Sequence, residues 1–401
     1  MKSSHTPIAD ASHVLISVSG ADHPGITARL TEILAECNVE LEDIEQVVIR
    51  GHLSLGLRID TKNASKGVLK ELVFAAKELG VSLDFFADEE QPVDAAAERY
   101  VVTVIGPHLG AADVHALAST LAEHDANIAK ISRLSHGQVH SIEVQVDLAA
   151  EQEATLKKAL LQLATGRSFD IALQREGLFR RSKRLVVMDM DSTLIPLEFI
   201  DEIAKAYGVA DEVSAVTERA MRGEMDYDES LRQRLGLLKG LEVSVVEDMA
   251  AKLPLTEGAE TLIRVLKRLG YRTAVISGGF SVATEALKKR LGMDHAYSNV
   301  LEVEDGKLTG RVVGQVVNGA RKAELLQTLA DEEGILLDQV IAVGDGANDI
   351  LMLERAGLGI AFHAKPKTRE AADTSISTGG LDTILYLLGI SKRELTDVLE
   401  A

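Results

Sequence analysis

Leu185-Val186-Val187-Met188-Asp189-Met190-Asp191-Ser192-Thr193 is the stretch that decides the fold. Four consecutive apolar residues run into two aspartates spaced by one residue. A continuous apolar run, unlike an alternating one, predicts a strand covered on both faces, as in a parallel sheet. Similar runs recur downstream at TAVISGG (273–279), VIAVGDG (340–346) and GLGIAF (357–362), followed by helical segments. Between two of them TLIRVLKRLG carries Leu262, Ile263, Leu266 and Leu269 on one helical face, with Gly270 as its stop. Strand–helix alternation of this kind predicts an α/β, doubly wound parallel-sheet core over 182–401. The span 199–253 has no strand signal, is rich in charge and interrupts the rhythm just after the first strand. We read it as a helical cap over the strand ends, where α/β sites lie.

Upstream, two segments look alike. HVLISVSG (13–20), ADHPG (21–25) and a helical pattern from Ile26 match YVVTVIG (100–106), PHLGAAD (107–113) and a helical pattern from Val114, with Gly20 and Gly106 offset by 86 residues. Ile26, Leu30, Ile33, Leu34 and Cys37 share one helical face, as do Val114, Leu117, Ala118 and Leu121. Alternating strands follow (Leu53, Leu55, Leu57, Ile59; Ile142, Val144, Val146), then further helices near 65–79 and 151–164. Each segment therefore reads as a βαββαβ, ferredoxin-like α+β unit, over 1–90 and 98–178. The acidic, alanine-rich stretch 87–99 reads as the linker between them, and the basic stretch 175–184 as the boundary before the core.

The chain has 401 residues and a formal charge of −19, which argues against non-specific binding to nucleic acid or anionic lipid. Cys37 is the only cysteine, so neither an internal disulfide nor a cysteine zinc cluster can form. The start, MKSSHTPIADASH, lacks an apolar signal region, and no stretch approaches the length of a membrane span. These features predict a soluble cytoplasmic protein.

Four motifs carry chemistry. Asp189 and Asp191 leave a strand end together: one suits nucleophilic attack on phosphorus, the other proton transfer to and from the leaving group and water. Two like charges this close call for a hard divalent cation. Ser277-Gly278-Gly279 opens a helix, where a hydroxyl and backbone N–H groups converge on an anion. Lys322 lies in a helical pattern. Asp345 and Asp349 follow VIAV within a glycine turn, the first placed for a cation and the second for water-mediated contact or for orienting Lys322. Taken singly, each has a plainer reading: a turn capping a helix, glycines turning a strand, a solvated lysine, a common Gly-Asp turn.

In this order the four motifs resemble those of the haloacid-dehalogenase superfamily over roughly 185–380. The resemblance implies Asp189 as nucleophile and Asp191 as general acid/base. It implies Mg²⁺ held by Asp189, Asp345 and the backbone carbonyl of Asp191, phosphate held by Ser277, Gly278 and Lys322, and Asp349 and Thr193 backing the site. DMDSTLIPLEFIDEIA, MRGEMDYDESLRQRLGLLKGL, PLTEGAETLI, VGDGANDILML and GIAFHAKP further resemble the phosphoserine phosphatase family. That implies a phosphoserine substrate, with Glu198 on its ammonium, Arg234 on its carboxylate and Asn348 also in the binding set. Tyr227, with Met221 or Met225, reads either as the cap's apolar wall or as cap core. A phosphotransferase or phosphoprotein phosphatase remains the nearest alternative, and an amino-acid-binding regulator with an inert phosphatase domain a more distant one. The front repeats resemble ACT domains. Gly20, Asp22 and Gly25 match the ligand loop of that family, while GPHLGAAD departs from it. That resemblance implies a homodimer, with L-serine control and simple dimerisation both open.

Overall fold

The computed structural model describes residues 12–65, 67–87 and 97–400. The unpatterned start 1–11 and most of the expected linker, 88–96, lie outside the described residues. Contacts divide the chain into two compact units, Met1–Ala95 and Ala96–Ala401.

In the first unit, strands β1 (His13–Ala21), β2 (Glu40–Ile49), β3 (His52–Asp60) and β4 (Val81–Ala87) form an antiparallel sheet in the order β2-β3-β1-β4. Helices Ile26–Glu36 and Val68–Leu79 pack with it. Leu53, Leu55, Leu57 and Ile59 point into one core with Ile26, Leu30, Ile33, Leu34 and Cys37, as their spacing predicts. A Cβ on Gly20 would come within 2.9 Å of Val81, so the close crossing of β1 and β4 requires glycine there. Gly106 faces the same constraint in the second repeat, 2.9 Å from Phe169, which gives the sequence repeat its physical cause.

The second repeat uses β5 (Ala97–Gly106), β6 (Asn127–Ser135), β7 (His140–Ala149) and β8 (Asp170–Arg175) in the equivalent order β6-β7-β5-β8. Strand β5 opens at Ala97, so the last residues of the expected linker, Ala97–Arg99, are strand instead. Their pairing with Asp147, Leu148 and Ala149 overrides the polar local composition.

The core sheet comprises β9 (Leu185–Met188), β10 (Arg272–Phe280), β11 (His295–Glu304), β12 (Lys307–Val313), β13 (Val340–Gly344), β14 (Leu358–Phe362) and β15 (Thr374–Ile376). Their order, β12-β11-β10-β9-β13-β14-β15, is parallel apart from the β11–β12 hairpin. Val186 and Met188 pack on one side of the sheet, Leu185 and Val187 on the other. This two-sided burial is why LVVM reads as an unbroken apolar run. Strand β9 sits between β10 and β13, where the order reverses, and Asp189 follows it at that switch point. The cap comprises helices Phe199–Tyr207, Ala210–Met221, Tyr227–Leu237 and Val243–Ala250. The sheet does not stop at β15: Thr374 pairs with Ala172 of β8, joining the second repeat to the core in one eleven-stranded sheet.

Candidate active site

Asp189 leaves β9 with its amide N–H donating to the Val343 carbonyl (2.9 Å), which ties it to the neighbouring strand. Its Oδ1 accepts from the Met190 amide (2.7 Å) and lies 2.8 Å from Lys322 Nζ, leaving Oδ2 out of both contacts. Lys322, alone on its helix in sequence terms, is fully buried and also donates to Asp349 Oδ1 (2.7 Å). The plain reading of Lys322 as solvated surface therefore fails, because the sheet encloses it between two carboxylates.

Asp349 is largely occupied: its Oδ2 accepts from the amides of Asp345 (3.2 Å) and Gly346 (3.0 Å). Such a turn requires glycine, since a Cβ on Gly344 would lie 2.4 Å from Asp349 Cγ. Among the described residues the Asp345 carboxylate meets only a long contact from Thr193 Oγ1 (3.4 Å), so it is the freer of the two. Oxygens of Asp189, Asp345 and Asp349 all lie within 4.8 Å of one another, with all three residues largely buried. Burial, then Asp349, pushes the Asp189 carboxyl well above the usual range, against the pull of Lys322. Burial and then Asp349 push Asp345 up to about 7. On Lys322 burial opposes the charge, yet Asp189 and Asp349 outweigh it and hold the ammonium above its usual value. Three carboxylates against one ammonium leave an excess of buried negative charge that suits a hard divalent cation.

Asp191 faces elsewhere. Its Oδ1 accepts from the Phe199 amide (2.7 Å) at the cap entrance, and its Oδ2 accepts from Ser277 Oγ (3.4 Å). Its carboxylate lies outside the three-aspartate group. Burial, then Glu198, pushes Asp191 up to about 7. Ser192 takes a left-handed backbone (φ 56°) and donates to Glu198 Oε1 (2.9 Å). Ser277 is fully buried and accepts from the Gly279 amide (2.8 Å). A Cβ on Gly278 would lie 2.0 Å from Tyr227 Oη, which donates to the Gly278 carbonyl (3.1 Å) across the cap–core seam.

These groups border a cavity of about 920 Å³ between cap and core. Asp189, Asp191, Glu198, Arg234, Gly278, Asp345 and Asn348 line it, as do Met221, Met225 and Tyr227. Ser277, Lys322, Asp349 and Thr193 are buried beside those lining groups. Arg234 Nε is buried with no hydrogen-bond partner among the described residues, an arrangement that a bound anion would satisfy. Gly20, Asp22 and Gly25 belong to the other unit, where Gly25 (φ 102°) opens the first helix and Asp22 is exposed.

Sequence reasoning missed Lys365, Lys367 and Thr368 on the cavity wall, although two lysines just after a buried strand were a usable signal. It also missed Asn299. This buried side chain donates to the Gly278 carbonyl (2.8 Å) and accepts from the Val317 amide (2.8 Å), and nothing in its strand pattern marks it.

The fold and this constellation define a haloacid-dehalogenase-type hydrolase: residues 183–357 match the haloacid dehalogenase-like hydrolase family, and 12–86 and 99–174 each match ACT-domain families. A solved HAD family hydrolase from Salmonella enterica is similar at TM-score 0.63 and 31% identity, covering 72% of this chain and 98% of that one. A phosphoserine phosphatase of Streptomyces coelicolor is 45% identical over 96% of this chain and 94% of its own length. Phosphoserine phosphatase SerB2 of Mycobacterium tuberculosis is 43% identical over 95% and 94%. The chain belongs to the phosphoserine phosphatase family.

Proposed function

We propose that the protein hydrolyses O-phospho-L-serine to L-serine and phosphate, with Mg²⁺ as cofactor and Asp189 as phosphoryl acceptor. The observation that carries this reading is one cavity lined by Asp189 and Asp345 together with Glu198 and Arg234. Phosphoserine carries a phosphate, an ammonium and a carboxylate, and the cavity offers a partner for each. The planar guanidinium of Arg234 suits a carboxylate, and Glu198 suits an ammonium. The relatives named phosphoserine phosphatase, which extend along nearly the whole chain, support the same substrate.

Asp189, Asp345 and the Asp191 carbonyl would hold the Mg²⁺, with Asp349 orienting Lys322. When bound, the cation supplies charge neutralisation for the phosphoryl oxygens. Asp189 Oδ2 attacks phosphorus as the P–O bond to serine breaks, and Asp191 gives its proton to the departing serine oxygen. Asp191 then takes a proton from water, whose oxygen attacks phosphorus. The Asp189–phosphorus bond breaks, releasing phosphate and restoring the carboxylate. Ser277, the Gly278 amide and Lys322 hold the phosphoryl oxygens throughout, and the Tyr227–Gly278 contact helps keep the cap over the reacting atoms.

The same reading includes a homodimer formed through the ACT domains. Its support is the edge strand β2, exposed along its length with Ile44 at 43%, Val47 at 45% and Ile49 at 68% exposure. It further includes an amino-acid effector at Gly20–Gly25 and a cytoplasmic place in serine biosynthesis. The test is phosphate release from L-phosphoserine and from a phosphoserine peptide, with and without Mg²⁺. Metal-dependent turnover of the free amino acid alone is expected. Equal turnover of the peptide would overturn the substrate assignment, because the peptide offers Glu198 and Arg234 no free ammonium or carboxylate.

A further inference from the structure

Strand β8 of the second repeat opens with Asp170, 5% exposed. Its Oδ2 accepts from the amides of Ser377 (2.8 Å) and Thr378 (3.1 Å), and its Oδ1 accepts from Ser377 Oγ (2.6 Å). One carboxylate of the repeat thus pins the core segment that follows β15. Thr374 Oγ1 donates to the Ile171 carbonyl (3.3 Å) beside it. Lys157 of the repeat pairs with Asp373 (3.0 Å), whose other oxygen accepts from the Gly359 amide of β14 (2.9 Å).

The pinned segment in turn holds the residue that leaves β14. His363 has a left-handed backbone (φ 45°), a conformation that needs support from its surroundings in a non-glycine residue. Its amide donates to the Ile376 carbonyl (2.7 Å), and its Nε2, in the tautomer protonated there, donates to the Gly379 carbonyl (3.0 Å). Two residues on, the Lys365 amide donates to the Asp345 carbonyl (3.3 Å), while Lys365, Lys367 and Thr368 line the cavity. Hydrogen bonds and short backbone links therefore connect Asp170 of the repeat with the backbone of Asp345.

We infer that the second ACT repeat is a fixed part of the metal site's scaffold, with Asp170 and His363 as positioning residues for Asp345. The inference rests on reading Asp345 as a Mg²⁺ ligand. Groups hydrogen-bonded directly to metal ligands shift metal affinity by about 10- to 100-fold when removed. His363 acts further back, through the Lys365 amide on the Asp345 carbonyl, so the low end applies. His363 is exposed, so its replacement leaves the core packing in place.

The experiment is calorimetric titration of Mg²⁺ into the full-length protein, its His363→Ala and His363→Gln variants, and Asp170→Asn. His363→Ala is expected to raise the Mg²⁺ dissociation constant about 10-fold at unchanged far-UV circular dichroism. His363→Gln, which keeps a terminal donor, should recover most of the affinity, and Asp170→Asn should weaken binding in the same direction. Wild-type affinity in His363→Ala, or in a folded Asp170→Asn, would overturn the inference. Failure of the parent protein itself to bind Mg²⁺ would instead overturn the metal reading beneath it.

Discussion

Replacing Lys322 with Met probes the charge balance on which the site depends. The ammonium is fully buried, 2.8 Å from Asp189 and 2.7 Å from Asp349. Methionine fills similar volume, so the main loss is electrostatic. Removing one partner of a buried ion pair leaves an uncompensated charge and costs about 3–5 kcal/mol. Protonation of Asp189, already pushed upward by burial, offsets part of this, which favours the low end of that range. For a large unit about 2–4 °C of melting temperature accompanies each kcal/mol. A drop of roughly 6–12 °C is therefore expected from the low end of the range.

The assay is thermal unfolding with and without Mg²⁺. A divalent cation between Asp189 and Asp345 would compensate charge that Lys322 no longer does. Saturating Mg²⁺ should then stabilise Lys322→Met by more than it stabilises the parent. Turnover of phosphoserine should stay low even with metal, because the variant lacks a phosphate-holding cation. A melting temperature within a degree or so of the parent's, with no extra gain from Mg²⁺, would refute the account of Lys322 as the counter-charge of a buried carboxylate cluster.

Asp189→Asn should abolish phosphate release and phosphate incorporation into the protein while leaving circular dichroism unchanged; retained turnover would exclude the covalent route. Arg234→Ala removes a charged hydrogen-bonding group worth about 1.5–3 kcal/mol, so kcat/KM for phosphoserine should fall about 10- to 100-fold with little change for a simple aryl phosphate. An equal loss on both substrates would detach Arg234 from the carboxylate. L-serine should alter the activity of the full chain and lose that effect when residues 1–95 are deleted, measured as phosphate release; an unchanged response would remove the first ACT domain from effector binding. The deletion stops there because β8 pairs with β15, and cutting further would expose a core edge.

The candidate carboxylates Asp189 and Asp345 were legible because each follows a run buried on both faces, a pattern with a direct physical cause. Leu53, Leu55, Leu57 and Ile59 were legible because a one-sided strand alternates. The β11–β12 hairpin was not, since its residues are mostly half-buried and follow no clear period. Strand β15 has three residues, too few for any period to register. The join of β15 to β8 rests on one strand pair and on side-chain contacts of Asp170, Thr374 and Lys157 with residues far away in sequence, so no local pattern encodes it. The resemblance only implies a place for Lys322 and Arg234 in the chemistry, and a lysine's burial is decided by which elements close over it.

A chain of net charge −19 that binds a dianionic phosphate poses an electrostatic problem, and the cavity sharpens it. Asp189, Asp191, Glu198, Asp201 and Asp345 line it against Arg234, Lys365 and Lys367. Behind them Asp349 and Lys322 cancel. Burial first, and then neighbouring acids, push the carboxyls of Asp191 and Asp345 up to about 7. Adding phosphoserine to that field is unfavourable until a divalent cation enters, so metal should bind before substrate. Titrating phosphoserine into metal-free Asp189→Asn and metal-free parent protein separates the contributions. The parent should give no measurable binding, and Asp189→Asn, one negative charge lighter, should bind weakly. Tight binding of phosphoserine to the metal-free parent would show that Arg234, Lys322, Lys365 and Lys367 suffice as counter-charge, and the argument for metal first would fail.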